Sequence, residues 1–305
     1  MINFKKIFSV IEEDGRTIII ILGIKIAFGQ NTNKFWVKIR APFFKAKKMK
    51  EFKRLLRQYG LQNQAFKKGE NKKIYVIGDS HVNFFSGEEY IHFFKYKKGI
   101  NKTLALINCF EPYHLGAALA YNILNPNASS KGLEKIEWLL AQKIPPNSIL
   151  LLCFGEIDMR CHVVKQSKIQ DKSIDEVVDD VLQCYIQFVK YLQKKGYKII
   201  TWAPIASQKD TISKHSEFSK IGTESERNYA TKIFSEKLNL FAAENKFINC
   251  SIYNKLVDEN NLTIEEYIAD KCHLSQKALP FMVEVLTEKN IIGVNKGEIV
   301  INYPL

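Results

Sequence analysis

A serine stands where an apolar run stops. "VIGDSHVNFF", residues 76–85, passes from Val76 and Ile77 into Gly78-Asp79-Ser80-His81. A chain that leaves a strand this abruptly usually presents a side chain, and three roles fit these residue types. Ser80 could be a nucleophile, Asp79 and His81 could be paired metal ligands, or the segment could be a polar turn. A serine hydroxyl is a weak nucleophile until a base takes its proton, and that base needs a third group to orient it. Of the six histidines, only His273 has a carboxylate at a spacing suited to a tight loop, in "ADKCHLS", where Asp270 precedes it by three residues. There the carboxylate can meet one ring nitrogen while the other faces outward.

These side chains need a scaffold to bring them together. From residue 73 the chain alternates short runs rich in Ile, Leu and Val with helical patterns. The runs are "KIYVIG", "LALIN" (104–108), "SILLLCFG" (148–155), "KIITWAP" (198–204) and "KFINC" (246–250). Helical patterns lie around 115–124, 131–143, 172–195, 224–244 and 275–289. Short apolar runs suit parallel strands buried on both faces. The alternation predicts an α/β fold, a three-layer α/β/α sandwich with a central parallel sheet of about five strands. Ligands of such sheets bind beyond the carboxyl ends of the strands. That rule gives Ser80, Asn108, Glu156 and Pro204 one address.

Gly78-Asp79-Ser80 after the first core strand and Asp270-x-x-His273 near the C-terminus resemble the SGNH/GDSL hydrolase family, over about residues 73–290. The resemblance implies a flavodoxin-like sandwich and ester hydrolysis or acyl transfer, with Ser80 as nucleophile, His273 as general base and Asp270 as its orienting partner. It implies an oxyanion hole made by the backbone N–H of Ser80, a glycine N–H matched by Gly116 in "YHLGAA", and an asparagine side chain from a GxND motif. Here that motif reads Gly155-Glu156-Ile157-Asp158, with isoleucine in place of the asparagine. Losing one oxyanion donor typically costs about 10²–10³ in rate, so a substitute donor is expected. Arg160 in "FGEIDMRCH" is the first candidate, as oxyanion donor or as binder of an acidic group, with Asn83 and Asn108 as weaker ones. Glu156, Asp158 and His81 are expected at the edge of the site. The plainer alternative for this segment is an internal ion pair of Arg160 with Glu156 or Asp158. No metal or organic cofactor is implied.

The N-terminal region has a different composition. Residues 1–73 hold 18 Lys/Arg against 5 Asp/Glu, whereas the remainder balances at 27 of each. The expected division is a basic extension over 1–72 and a hydrolase domain over 73–305. Within the extension, "TIIIILGIKIAF" (17–28) is too short to cross a bilayer. With the Asp14-Gly15 turn it predicts a hairpin of "KKIFSVI" and "RTIIIIL". After Pro42, "FFKAKKMKEFKRLLRQYG" predicts a helix ending at Gly60, with Met49, Phe52, Leu56 and Tyr59 on one face and basic residues over much of the rest. Residues 33–60 could therefore rest on an anionic membrane surface or dock on the main domain. No nucleic-acid motif accompanies the charge. The segment "KKIFSVIEEDGRTIIIILGIKI" is also similar to short N-terminal segments of bacterial enzymes that build surface polysaccharide, which points to capsule or lipopolysaccharide sugars as the acylated substrate. Six widely spaced cysteines fit free thiols in a reducing compartment, and a cytoplasmic protein, peripheral at the inner membrane face if the basic helix binds lipid, is expected.

Two rivals remain at the level of sequence. Asp79-x-His81 resembles the first metal-binding motif of calcineurin-like metallophosphoesterases, but the later ligand clusters of a two-metal site are missing. A non-catalytic glycan-binding module on the same fold would explain the absent asparagine. Esterase and O-acetyltransferase share every residue above.

Overall fold

The computed structural model describes residues 8–13, 16–21, 24–28, 33–63, 73–209, 221–270 and 272–303. The chain divides into two compact units, Met1–Glu51 and Phe52–Leu305. The second unit includes the last part of the basic region.

In the first unit, β1 (Phe8–Glu13), β2 (Arg16–Ile21) and β3 (Ile24–Phe28) form an antiparallel meander with Phe8 opposite Ile21 and Thr17 opposite Phe28. The expected hairpin is there, and its Asp14-Gly15 turn lies outside the described residues. The apolar run 17–28 does not form one element: it is divided between β2 and a third strand, because β-branched residues favour strands on both sides of the break. The helix α1 spans Asn33–Gln58, so it begins well before Pro42 and runs through it. Among the described residues, no helix is long and apolar enough to cross a membrane.

From Phe52 onward the helix belongs to the second unit. Phe52 and Leu56 are buried, and the Phe52 ring lies against Gly87. This part of the apolar face therefore packs on its own protein. Lys45, Lys47, Lys50, Lys53, Arg54 and Arg57 are exposed.

The second unit is built on a seven-stranded sheet. Its strands are β5 (Ile74–Gly78), β6 (Phe94–Lys95), β7 (Asn101–Lys102), β8 (Phe110–His114), β9 (Ile149–Cys153), β10 (Lys198–Trp202) and β11 (Ile248–Cys250). The order is β11-β10-β9-β5-β8-β7-β6, and the five long-range neighbours β11 to β8 are all parallel. Numbered among themselves, the parallel strands run 2-1-3-4-5, the flavodoxin-like doubly wound order. Two short antiparallel strands, β7 and β6, extend the expected parallel sheet at one edge.

The second parallel strand is β8, not the expected "LALIN". Leu106 and Ile107 are buried, but their N–H groups both donate to Ser86 O, so the segment is an apolar connection and not part of the ladder. Asn108 therefore lies ahead of β8, at the amino end of the sheet, where its N–H donates to Asn63 Oδ1 (3.0 Å). It does not share an address with Ser80. The true strand contains Pro112, which is tolerated because β7 covers only Tyr113 and His114 and leaves the edge beside Pro112 open.

Helices α2 (Gly132–Gln142), α3 (Val164–Gln170), α4 (Ile174–Lys194), α5 (Glu224–Glu244) and α6 (Leu279–Glu288) complete the layers. α4 and α5 each begin with a reciprocal capping box, Ser173 with Glu176 and Thr223 with Glu226. Val178, Leu182, Tyr185 and Val189 of α4 point into the core, where Phe154, Tyr185, Phe188 and Phe234 meet. The expected helix at 115–124 is a loop of turns. Gly116 sits at φ +88°, and the Asp158 carboxylate takes the N–H groups of Ala120 and Tyr121 that a helix would need. A small sheet of β12 (Ile292–Asn295), β13 (Glu298–Ile301) and β4 (Gln62–Asn63) ties the end of the chain to the segment after α1. None of the six cysteines is in a disulfide.

Candidate active site

Ser80 follows β5 directly, and the turn that presents it depends on two neighbours. A Cβ on Gly78 would lie 1.9 Å from the carbonyl oxygen of Cys153 on β9, so only glycine lets the strands close here. Asp79 accepts the N–H of His81 on Oδ1 (2.9 Å) and caps the 3₁₀ turn Ser80–Ser86.

His273 reaches this turn from the opposite end of the sequence. Its Nε2 is 2.7 Å from Ser80 Oγ, and its Nδ1 is 2.9 Å from Asp270 Oδ2. An ionised carboxylate only accepts, so Nδ1 carries the proton and Nε2 is left to accept from the serine hydroxyl. Asp270 also takes the backbone N–H groups of Cys272 and His273 (both 2.9 Å). Burial raises its pKa, but the imidazole and these N–H donors outweigh burial and hold the carboxyl well below its usual range. The loop is anchored next to the serine turn by Glu89, which accepts from Ser275 Oγ (2.7 Å) and Gln276 N (2.8 Å). Neither Glu89 nor Ser275 stood out in the sequence, since a surface glutamate carries no local signal.

Behind the base lies a buried ionic cluster. The His81 and His273 rings are 4.8 Å apart, and His81 Nε2 is 3.1 Å from Glu156 Oε2. Arg160 grips the same carboxylate through Nε (2.5 Å) and Nη2 (3.1 Å). Burial opposes charge on Glu156, but Arg160 and then His81 outweigh it and keep the carboxyl far below the usual range. Burial likewise lowers His81, while Glu156 and Asp79 raise it more, and the net direction is upward. Of the sequence alternatives for Arg160, the internal pair is the one present, and its partner is Glu156 rather than Asp158. The pairing engages the side of the guanidinium that would be a forked donor, so Arg160 is not free to offer that fork to an oxyanion.

Asp158 faces a different task. Buried, with a pKa raised by burial to about 6, it holds Ala120 and Tyr121 (2.9 and 3.1 Å) and so fixes the loop that carries Gly116. Leu115 N donates to Gly78 O (2.8 Å), which sets Gly116 one residue beyond a bond to the strand that delivers Ser80. Asn83 is no substitute donor: its Nδ2 donates to Glu88 O (3.1 Å) and its Oδ1 accepts from Thr103 (3.3 Å), both inside the core. Ile157 is buried.

One group with metal-ligating atoms occurs among the described residues, His81, Cys272 and His273, with those atoms within 4.8 Å of one another. It does not fit a cation. Both nitrogens of His273 are engaged by Ser80 and Asp270, His81 Nε2 faces Glu156, and burial pushes the Cys272 thiol far up. Asp79, which a metallophosphoesterase would need on the ion, is outside the group and caps its own turn instead.

The strand order 2-1-3-4-5, the serine turn after its first strand and the His-bearing loop before the last helix settle the architecture. The fold is a flavodoxin-like three-layer α/β/α sandwich, as the resemblance to the SGNH hydrolases implied. No protein-family model and no curated protein matches the chain. Among solved structures, the chain is similar to a phospholipase A1 from Streptomyces albidoflavus (12% identity, TM-score 0.42, covering 72% of this chain and 100% of that one). It is also similar to a GDSL-like lipase from Bacteroides thetaiotaomicron (11%, 0.40, 79% and 96%) and to an acetyl xylan esterase (17%, 0.39, 71% and 99%). Likeness at this distance carries no chemistry, which has to come from the side chains themselves.

Proposed function

We propose that the protein is a serine-dependent ester hydrolase acting on an O-acylated, chiefly O-acetylated, carbohydrate of bacterial surface polysaccharide. The observation that carries it is the unbroken chain from Ser80 Oγ to His273 Nε2 and from His273 Nδ1 to Asp270. His273 takes the serine proton as Oγ attacks the ester carbonyl. Asp270 keeps the ring in the tautomer that can accept it and stabilises the imidazolium that results. The N–H groups of Ser80 and Gly116 receive the oxyanion. His273 then returns the proton to the departing sugar oxygen, leaving an acyl-Ser80 ester. Water, deprotonated by the same imidazole, releases the acid. A sugar hydroxyl in place of water would make the protein an O-acetyltransferase.

Two features support a carbohydrate. A cavity of about 260 Å³ lies beside the loop that follows Gly116, lined by polar Tyr121, Asp158, His162, Gln166, Gln170 and Asp180 and by apolar side chains, though not by Ser80 or His273 themselves. Amides, a histidine whose pKa burial lowers, and an exposed tyrosine ring suit hydroxyl groups and the apolar face of a sugar. The other is the N-terminal similarity to surface-polysaccharide enzymes. The reading places the enzyme in the cytoplasm, with the exposed lysines and arginines of α1 meeting anionic headgroups at the inner membrane face.

The test is intact mass after treatment with a small fluorophosphonate. A single adduct that maps to Ser80 and is lost in His273→Ala is expected, followed by acetate release from acetylated sugars. A folded protein that takes no adduct would refute the enzyme and favour a glycan-binding module, for which Ile157 in place of a third donor would be the natural sign.

A further inference from the structure

The oxyanion hole lacks its side-chain donor, yet a cation sits behind the donor that remains. Lys135, on the first turn of α2, donates from Nζ to the carbonyl oxygen of Leu115 at 2.5 Å. That carbonyl belongs to the peptide whose N–H is the N–H of Gly116. The trans peptide presents its N–H on the side opposite the bonded carbonyl, and resonance couples the two ends. A hydrogen bond accepted at C=O from a charged donor therefore makes the N–H more positive and a stronger donor in turn. The ammonium is also close in space: it lies 3.7 Å from where a Cβ on Gly116 would be.

The surroundings keep this charge available. His114, the residue before Leu115, is held neutral near neutral pH, its pKa lowered to about 4 by burial and by Lys135. The neighbouring Glu134 carboxylate faces Lys98 at 3.8 Å. Burial of Lys135 against the loop lowers its pKa, as expected where an ammonium is partly removed from water. A lysine used only to hold the loop would not need to choose this carbonyl, since Asp158 already fixes Ala120 and Tyr121.

We propose that Lys135 polarises the Leu115–Gly116 peptide, strengthening the Gly116 N–H as oxyanion donor and compensating in part for the donor missing at Ile157. Lys135 is thus a positioning residue acting through Gly116, and this inference rests on the Ser80 ester chemistry proposed above.

The experiment compares wild type, Lys135→Met, Lys135→Gln and Lys135→Arg on p-nitrophenyl acetate, with thermal melting to establish that each is folded. Removing an oxyanion donor outright costs about 10²–10³ in rate, so removing its reinforcement is expected to lower kcat about tenfold in the Met variant. KM should stay within about twofold, and binding of a boronic acid that mimics the tetrahedral adduct should weaken by the same factor as kcat. Lys135→Arg should recover most of the rate. It should also shift the alkaline limb of the pH profile upward, because guanidinium keeps its proton where an ammonium next to Lys131, Glu134, Lys98 and His114 does not. Folded Met and Gln variants with unchanged kcat and unchanged boronate affinity would overturn the inference. A wild type that neither hydrolyses the ester nor labels at Ser80 would instead overturn the proposed function, and this inference with it.

Discussion

Replacing Glu156 with glutamine should damage the protein far more than a change of one atom suggests. Glu156 is 4% exposed and Arg160 8%, so the pair is almost wholly out of water. The carboxylate serves three contacts at once: Arg160 Nε, Arg160 Nη2 and His81 Nε2. Glutamine keeps the volume and one acceptor oxygen, but whichever way the amide turns its NH₂ faces a guanidinium N–H, Nε or Nη2, donor against donor. Breaking a buried ion pair from one side leaves the other charge uncompensated and costs about 3–5 kcal/mol. For a unit of this size each kcal/mol moves Tm by about 2–4 °C, so a fall of about 6–20 °C is expected. Differential scanning calorimetry reads this directly. The double variant Glu156→Gln, Arg160→Met should regain part of the loss, since it removes the stranded charge. The pH dependence has a definite sign. The folded pKa of Glu156 lies far below its ordinary 4.5, so its contribution is complete above about pH 4.5 and is lost as pH falls. The variant should therefore lose less stability than wild type on acidification. A Glu156→Gln protein that melts within about 2 °C of wild type, with additive double-variant effects, would show that the cluster does not hold this part of the core.

Two further outcomes follow from separate parts of the molecule. Gly78→Ala puts a methyl group 1.9 Å from the Cys153 carbonyl, where backbone and not a flexible side chain must yield, so little soluble folded protein is expected on expression; a well-folded, fluorophosphonate-reactive variant would contradict the strand spacing. In sedimentation with anionic vesicles at low salt, the full chain should pellet and charge reversal at Lys45, Lys47 and Lys50 should release it, because each headgroup-facing lysine contributes about 1 kcal/mol; a protein that stays in the supernatant whatever the salt removes the membrane role.

What the sequence determined by itself was local. The apolar runs at β5, β9, β10 and β11 and the helical patterns that became α4 and α5 are set by neighbours a few residues away, and each was legible. So were the Gly78-Asp79-Ser80 turn and the Asp270–His273 spacing, because a tight loop fixes its own geometry. The i, i+4 spacing of Glu156 and Arg160 announced a possible pair without announcing who else would join it.

The tertiary structure decided everything that depends on what lies across space. Ser80 and His273 meet over 193 residues of sequence, and only the parallel order of the sheet brings their loops to one edge. An apolar connection at Leu106 and Ile107 looked like a strand because burial, not pairing, selects apolar residues, while the real strand was disguised by Pro112 and Glu111 at an open edge. The 115–124 segment had helical composition, but Asp158 took the N–H groups that a helix would have used. Lys135 carried no motif at all. Its relation to the Leu115 carbonyl exists only because α2 packs against the loop after β8, a contact that no local pattern encodes.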